Sequence, residues 1–276
     1  MTAVAAGYTH SLGLGADGTV WAWGCNIWGQ LGDGSFANGM TPVQVKLEEG
    51  RPLEGVKALA GGRGHSLALR GDGTVWAWGY NGHRQLGCDH PGSILQLSPV
   101  PVVVRPGVPL TDVVAVAGGA SHSLALCADG TVWEWGFSPA NALTPTEPMQ
   151  VRGLERMVAV AGGENHSLAL DAEGVVWAWG SNWWGQMGDG STAPCWQPVR
   201  VQSPELTGVV VIASGFNHCL AIRSDGTVWA WGNNAHGQAG HPRPFSVGAP
   251  WQVPGIAGAR RATAGGDHSV VVADRA

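Results

Sequence analysis

The chain has 276 residues, with 15 Lys and Arg against 20 Asp and Glu, for a formal net charge of −5 and a sequence pI near 6.0. Charged residues make up only 13% of it, lysine occurs only as Lys46 and Lys57, and no basic run exists, which excludes a protein that tracks nucleic-acid phosphates. The 44 glycines show no Gly-x-y period, which excludes collagen, and no window approaches the roughly 18 consecutive apolar residues of a membrane span.

The first eight residues carry neither a basic region nor an apolar run of signal-peptide length, so a cytoplasmic location is expected, with a processed secreted form as the alternative. The five cysteines, Cys25, Cys88, Cys127, Cys195 and Cys219, are odd in number and fall at different places in their surroundings. They encode no repeated disulfide, and a reducing compartment is the simplest reading.

The chain is a repeat. Asp-Gly-Thr-Val-Trp-Ala-Trp-Gly stands unchanged at 17–24, 72–79 and 225–232, with close variants at 129–136 and 173–180. A Gly-x-x-His motif precedes each copy; its histidines are His10, His65, His122, His166, His218 and His268, spaced 55, 57, 44, 52 and 50 residues apart. A period near fifty predicts a repeat architecture in which most conspicuous residues are scaffold, because each occurs once per unit. One domain over 1–276 is expected, with units at about 2–55, 56–112, 113–156, 157–207, 208–258 and a partial 259–276.

Each unit reads as four strands, A to D. The first begins with strand A at Thr2–Ala6. In the second, strand A is Val56–Ala60, strand B is His65–Leu69 and strand C is Thr74–Trp78, with an Asp-Gly hairpin turn between B and C. Strand D is expected around Pro101–Val104 here, and at Pro42–Val45 and Pro198–Val201 in the first and fourth units. The last unit offers only Arg261–Ala264 and His268–Val272. Period-two alternation puts His65, Leu67 and Leu69 on one face of strand B and both tryptophans on one face of strand C. Both faces are apolar or small and must be covered, as in a propeller blade packed between neighbours.

The string Val-Ala-Gly-Gly-x-x-His-Ser-Leu-Ala-Leu, followed by Asp-Gly-Thr-Val-Trp-Ala-Trp-Gly-x-Asn-x-x-Gly-Gln-Leu-Gly-Asp-Gly, closely resembles the regulator of chromosome condensation (RCC1-like) repeat, over 4–35 and 160–191 most fully and over the chain as a whole. The resemblance implies an all-β fold: a β-propeller of five full four-stranded blades plus a terminal two-strand partial blade. Six blades are favoured, with a seven-bladed form or intermolecular closure as alternatives. Function is not implied, because the family hosts unrelated activities.

The tryptophan pairs, repeated on one face of every strand C, read as core between blades rather than as platforms for a ligand. The family's light-sensing members carry their tryptophans in a Gly-Trp-Arg-His-Thr context, which none of the Gly-x-x-His motifs here contains. The six histidines read as structural hydrogen-bonding groups rather than a metal site. Glu134, in place of an Ala in strand C, and the altered loop Phe137–Leu143 mark a degenerate third unit, more simply drift than a specialised patch.

The A–B and C–D connections of such a meander emerge on one face of the disk. There the residues differ from unit to unit, and they include Tyr8, Trp28, Arg63, His83, Arg84, Glu164, Trp183, Trp184, Phe216 and His236. Aromatic, Arg and His side chains on rigidly held loops have the composition of a recognition surface. Of Trp183 and Trp184, one ring is expected to pack and the other to be exposed. The leading expectation is therefore a non-enzymatic scaffold that binds a protein or peptide, with no catalytic residue, metal, cofactor, nucleic acid or membrane partner. The alternatives are nucleotide exchange on a small GTPase, implied by the family's founding member, and a small-molecule binder or enzyme with its site at the axial tunnel. The unfinished last blade offers an edge for oligomerisation.

Overall fold

The computed structural model describes residues 1–89, 92–137, 147–242 and 245–274, which contain strands and no helix. The first four-stranded antiparallel meander is β1 (Ala3–Ala6), β2 (His10–Leu14), β3 (Val20–Gly24) and β4 (Gly39–Gln44). The second is β5 (Val56–Gly61), β6 (His65–Arg70), β7 (Val75–Tyr80) and β8 (Leu95–Pro101), followed by a small hairpin of β9 (Val103–Arg105) and β10 (Val108–Pro109). The third is β11 (Val113–Gly118), β12 (His122–Cys127), β13 (Val132–Gly136) and β14 (Met149–Gln150). The fourth is β15 (Met157–Gly162), β16 (His166–Asp171), β17 (Val176–Gly180) and β18 (Cys195–Arg200), and the fifth is β19 (Val209–Ser214), β20 (His218–Arg223), β21 (Val228–Asn233) and β22 (Ser246–Gln252). A final pair, β23 (Ala259–Ala264) and β24 (Ser269–Ala273), completes the series of five full blades and one two-stranded sheet. The first three blades form one compact unit, and the fourth, fifth and final sheets form another.

The outer strand of the second blade differs from its expected place. It runs Leu95–Pro101 and pairs Tyr80 with Leu95 and Trp76 with Pro101. Pro101 is the last residue of the strand, at the place taken by Gln44, Arg200 and Gln252 in other blades, and Val103 and Val104, read from sequence as part of that strand, belong instead to a hairpin of Val103–Arg105 with Val108–Pro109. Of the altered third loop, residues 138–143 lie outside the described residues.

The turn between the second and third strands explains the Asp-Gly-Thr signature. Asp72 Oδ1 accepts from both the backbone N–H (3.0 Å) and the hydroxyl (2.6 Å) of Thr74, and Asp17, Asp129 and Asp225 repeat this on Thr19, Thr131 and Thr227. These donors, the threonine hydroxyl first, hold each Asp carboxyl below its usual range. The glycine between takes the left-handed conformation, with φ 82° at Gly73. The fourth blade, with Glu-Gly-Val in this place, uses Asp171 instead: its Oδ1 accepts from Glu173 N and Val175 N, and its Oδ2 from Trp177 Nε1.

The second tryptophan of three strand-C motifs, Trp78, Trp135 and Trp231, joins its blade to the preceding one. Trp78 is fully buried in one cluster with Leu12, Val20, Leu31 and Val45 of the preceding blade, and Trp135 in one with Leu67, Val75, Leu86 and Val102. In the other unit Trp231 clusters with Leu168, Val176 and Met187, with Val201 packed alongside. Removing about 200 Å² of indole surface from water contributes roughly 5 kcal/mol before entropy is counted. The ring nitrogens are satisfied: Trp78 Nε1 donates to Gln30 O (2.9 Å), Trp135 Nε1 to Gln85 O (2.8 Å) and Trp231 Nε1 to Gln186 O (2.8 Å).

The same carbonyls fix the histidines. Ser66 Oγ donates to Gln30 O (2.8 Å) and Ser123 Oγ to Gln85 O (2.8 Å). Each hydroxyl has thereby given up its one proton, so its oxygen accepts from an imidazole of the preceding blade: His10 Nε2 to Ser66 (2.8 Å) and His65 Nε2 to Ser123 (2.9 Å). The ring is therefore the neutral tautomer protonated at Nε2. The second glycine of the Gly-Gly motif follows from this ring, since a Cβ at Gly62 would lie 2.0 Å from His65 Cε1, and the first from the preceding blade's turn, since a Cβ at Gly61 would lie 2.5 Å from Gly7 N.

Burial pushes the imidazole pKa values of His10, His122 and His218 down to about 4, and that of His65 to about 3, where the nearby His122 and His10 add to the effect of burial. The unfolded chain, with histidines near 6.5, binds more protons in acid, so this contribution is complete above about pH 6.5 and is lost as pH falls toward 4. Unfolding free energies from urea titrations at pH 7.5 to 4.5 are expected to fall steadily below pH 6.5, by up to about 1.4 kcal/mol per pH unit for each such histidine. A flat profile between pH 7 and 5 would contradict the buried neutral state.

Candidate binding surface

The loop after each strand-C motif is built by the Asn and Gln of Asn-x-x-Gly-Gln. The buried Asn26, Asn81, Asn182 and Asn234 accept at Oδ1 from the N–H five residues on, at Leu31, Leu86, Met187 and Ala239, over 2.8–3.0 Å. Their Nδ2 groups donate across the loop to Ser35 O, Ser93 O, Ala193 O and His241 O. The Gln side chain closes the loop from inside: Oε1 of Gln30, Gln85, Gln186 and Gln238 accepts from the backbone N–H of Trp28, His83, Trp184 and His236 over 2.9–3.0 Å. The residue so held carries a ring in all four loops. A pinned backbone with an outward ring offers area for recognition at little further ordering cost.

In the first unit these rings run on from blade to blade. Trp28 lies on the glycine of the next A–B turn, where a Cβ at Gly64 would meet its Cε3 at 2.3 Å, and its ring is 5.4 Å from that of Tyr80. Tyr80 is 6.0 Å from His83, edge on, and His83 is 5.9 Å from Phe137. Trp28, Tyr80, His83 and Phe137 thus make one aromatic ribbon across three blades, with His83 and Phe137 exposed and the other two half-buried. Beside it Arg63 sets its guanidinium 5.3 Å from the Tyr8 ring, a cation–π pair between adjacent turns. The turns beneath are tied by backbone bonds, Tyr8 N to Gly62 O and Arg63 N to Gly119 O.

The second unit repeats the plan with different chemistry. Glu164 N donates to Phe216 O, and Phe216 N to Gly266 O. Glu164 Oε2 accepts from Asn217 Nδ2 (2.9 Å), whose Oδ1 accepts from Gln186 Nε2 (3.0 Å), so Glu164 is committed to a half-buried network. The Phe216 ring covers Gly266 and is also half-buried. Trp183 is 72% exposed and Trp184 37%, so Trp184 is the better covered of the adjacent pair without being packed away. His236 is exposed.

The structure therefore brings Tyr8 to Arg63, and Trp28 to His83 by way of Tyr80. Tyr80 and Phe137, the latter read only as the start of a drifted loop, are missing from the candidate surface residues of the sequence reading, although both occupy the position just after the strand-C motif, where Cys25, Ser181 and Asn233 also differ. Arg84 stands where three sister loops have glycine and takes φ 64°, beside Gly29 at 74°, Gly185 at 82° and Gly237 at 80°. Among the described residues no group of three or more His, Cys, Asp or Glu is placed to hold a metal ion.

Four-stranded meanders repeated along the chain and locked through a shared carbonyl define a β-propeller of the regulator-of-chromosome-condensation class. The chain belongs to that family: the model of the RCC1-like domain matches residues 1–276. It is 33% identical over 280 residues to the human E3 ubiquitin-protein ligase HERC2, covering 97% of this chain and 6% of that protein. It is 29% identical over 287 residues to the Ultraviolet-B receptor UVR8 of Arabidopsis thaliana, covering 100% of this chain and 63% of the receptor. It thus spans less than two thirds of the length of either relative. Among solved structures, Prp20p of Saccharomyces cerevisiae, described with binding to Gsp1p and histones, superposes with a TM-score of 0.84 at 28% identity, over 98% of this chain and 69% of Prp20p. Human WBSCR16 superposes at 0.82 with 26% identity, over 99% of this chain and 71% of that one.

Arg84→Gly relieves a left-handed backbone at a position built for glycine, and a stability gain of up to about 1 kcal/mol is expected in urea titrations. A loss of stability would show that the arginine side chain contributes more to its loop than its backbone costs.

Proposed function

We propose that this propeller is a non-enzymatic protein- or peptide-binding module and that its partner docks on the loop ends of the blades. The observation that carries this reading is the aromatic ribbon Trp28–Tyr80–His83–Phe137 with the Tyr8–Arg63 pair at its side. Residues repeated in every blade are largely buried in scaffold roles, whereas the residues that change from blade to blade are held outward by a repeated backbone frame. Aromatic and arginine side chains of this kind supply most binding energy at protein interfaces. The binding of Gsp1p and histones by Prp20p and of Kap60 to the same protein supports a protein partner in kind.

A second reading, nucleotide exchange on a small GTPase, draws on Prp20p and Gsp1p alone. Release of a fluorescent guanine nucleotide from a Ran-type GTPase measures it directly, and a rate unchanged by saturating protein removes it.

For the leading reading, partners captured by the wild-type chain are identified and then titrated against Trp28→Ala, His83→Ala and Arg63→Ala. Each truncation at a central anchor is expected to weaken binding about tenfold or more while the urea midpoint stays close to wild type. Affinities unchanged across all three would remove the loop face as the docking surface.

A further inference from the structure

The two units answer the amide of the loop glutamine differently. In the second unit its acceptor is the side chain just before the next repeat histidine: Gln186 Nε2 donates to Asn217 Oδ1 (3.0 Å) and Gln238 Nε2 to Asp267 Oδ1 (3.4 Å). In the first unit the same positions hold Gly64 and Ser121, and Gln30 Nε2 and Gln85 Nε2 are buried donors without an acceptor. Both glutamines are fully buried, and such a donor costs the desolvation of its amide until an acceptor arrives. At Gln30 the Trp28 ring lies on Gly64, where an acceptor side chain would stand. At Gln85 the place belongs to Ser121, which is half-buried and shorter than asparagine.

Three elements meet around Ser121. The turn that carries it is tied to the second blade's turn, where Arg63 N donates to Gly119 O (3.3 Å). Ser121 O accepts from Phe137 N (2.8 Å), and the Phe137 ring is 5.9 Å from that of His83. His83 and Arg84 lead directly into Gln85. Among the described residues neither Arg63 nor Arg84 forms an ion pair. The carboxylates of the first two loops are engaged: Asp33 Oδ1 accepts from Ser35 N (3.0 Å) and Asp89 Oδ2 from Gly107 N (2.7 Å). An unanswered amide donor beside uncompensated arginines calls for an anionic acceptor with planar oxygens, the kind that Asp267 supplies within the chain. We propose that the joint of the second and third blades takes the carboxylate of a Glu or Asp from an acidic segment of the partner, one oxygen accepting from Gln85 Nε2 beside Ser121 and its charge balanced by Arg84 and Arg63. This rests on the loop face as the docking surface and names the chemistry of what docks there. Charge complementarity decides the choice, since a cationic segment would meet the two arginines and leave the amide unanswered.

Fluorescein-labelled Gly-Glu-Phe-Glu-Glu-Gly is the probe and Gly-Gln-Phe-Gln-Gln-Gly its neutral twin, each read by polarisation against the whole chain. The acidic peptide is expected to bind saturably and about tenfold more tightly than the neutral one, by a margin that shrinks as salt is raised. Ser121→Asn installs the acceptor that the fifth blade has at Asn217. It is expected to raise the urea midpoint and to weaken the acidic peptide about tenfold, a pair of effects that a damaged fold would not give. Arg84→Gln leaves the amide unanswered and removes charge, so the acidic peptide is expected to weaken about fivefold and the neutral one to be unchanged. The inference is overturned by the absence of saturable binding at about millimolar acidic peptide, or by acidic-peptide affinity indifferent to both substitutions. Complete displacement by inorganic phosphate at about millimolar concentration would assign the arginines to phosphate and overturn it as well. Equal affinities of the two peptides, both lost in Trp28→Ala, would remove the acidic partner while leaving the loop face as the docking surface.

Discussion

One backbone carbonyl at each of three joints ties blade to blade. Gln30 O, Gln85 O and Gln186 O each lie at the end of a pinned loop and each accept from two groups of the following blade, an indole and the hydroxyl or thiol of the residue after the repeat histidine. Both donors are buried, and neither has water to turn to. An unmet buried donor costs about 1–3 kcal/mol, so the carbonyl, the indole, the serine and the imidazole behind it are set together or not at all. The apolar contact supplies most of the energy; the shared acceptor fixes where the next blade must sit.

Where one member changes, another moves to cover it. Cys219 replaces the serine, and its contact with Gln186 O lengthens to 3.6 Å. Ser214, on the neighbouring strand, then pairs with His166 Nε2 at 2.8 Å, and the thiol stands 3.2 Å from the same nitrogen. Asp171 plays the corresponding part for the hairpin turn that lacks its aspartate. The repeat thus tolerates drift in residue identity at these positions because a neighbouring group takes over the lost hydrogen bond. Glu134, buried in β13 where other blades have alanine, marks how far that tolerance reaches.

The blades were legible because their signals are local and repeated: Asp-Gly turns, period-two alternation and a histidine at a nearly fixed offset give five sheets and a pair. The outer strands were less so, because their sequences are short, proline-rich and different in every blade, and Pro101, read as the start of its strand, is its last residue. The candidate surface was half legible. Comparing repeats singled out Trp28, His83, Trp184 and His236 as variable, but not that one glutamine oxygen places them alike. Tyr80 and Phe137 were missed because they extend a strand-like motif, and only the ring-to-ring distances show that they bridge their neighbours. Glu164 and Phe216 were read as surface anchors, and their half-burial belongs to turn-to-turn contacts that no single repeat encodes.

The Asn and Gln of the connecting loop fix its main chain through hydrogen bonds that do not involve the ring the loop displays. The identity of the displayed side chain is thereby separated from the hydrogen bonds that shape its loop. Selection can exchange one such ring for another while the loop's hydrogen bonds stay the same, so each blade becomes an editable character in a recognition sequence written around a fixed frame.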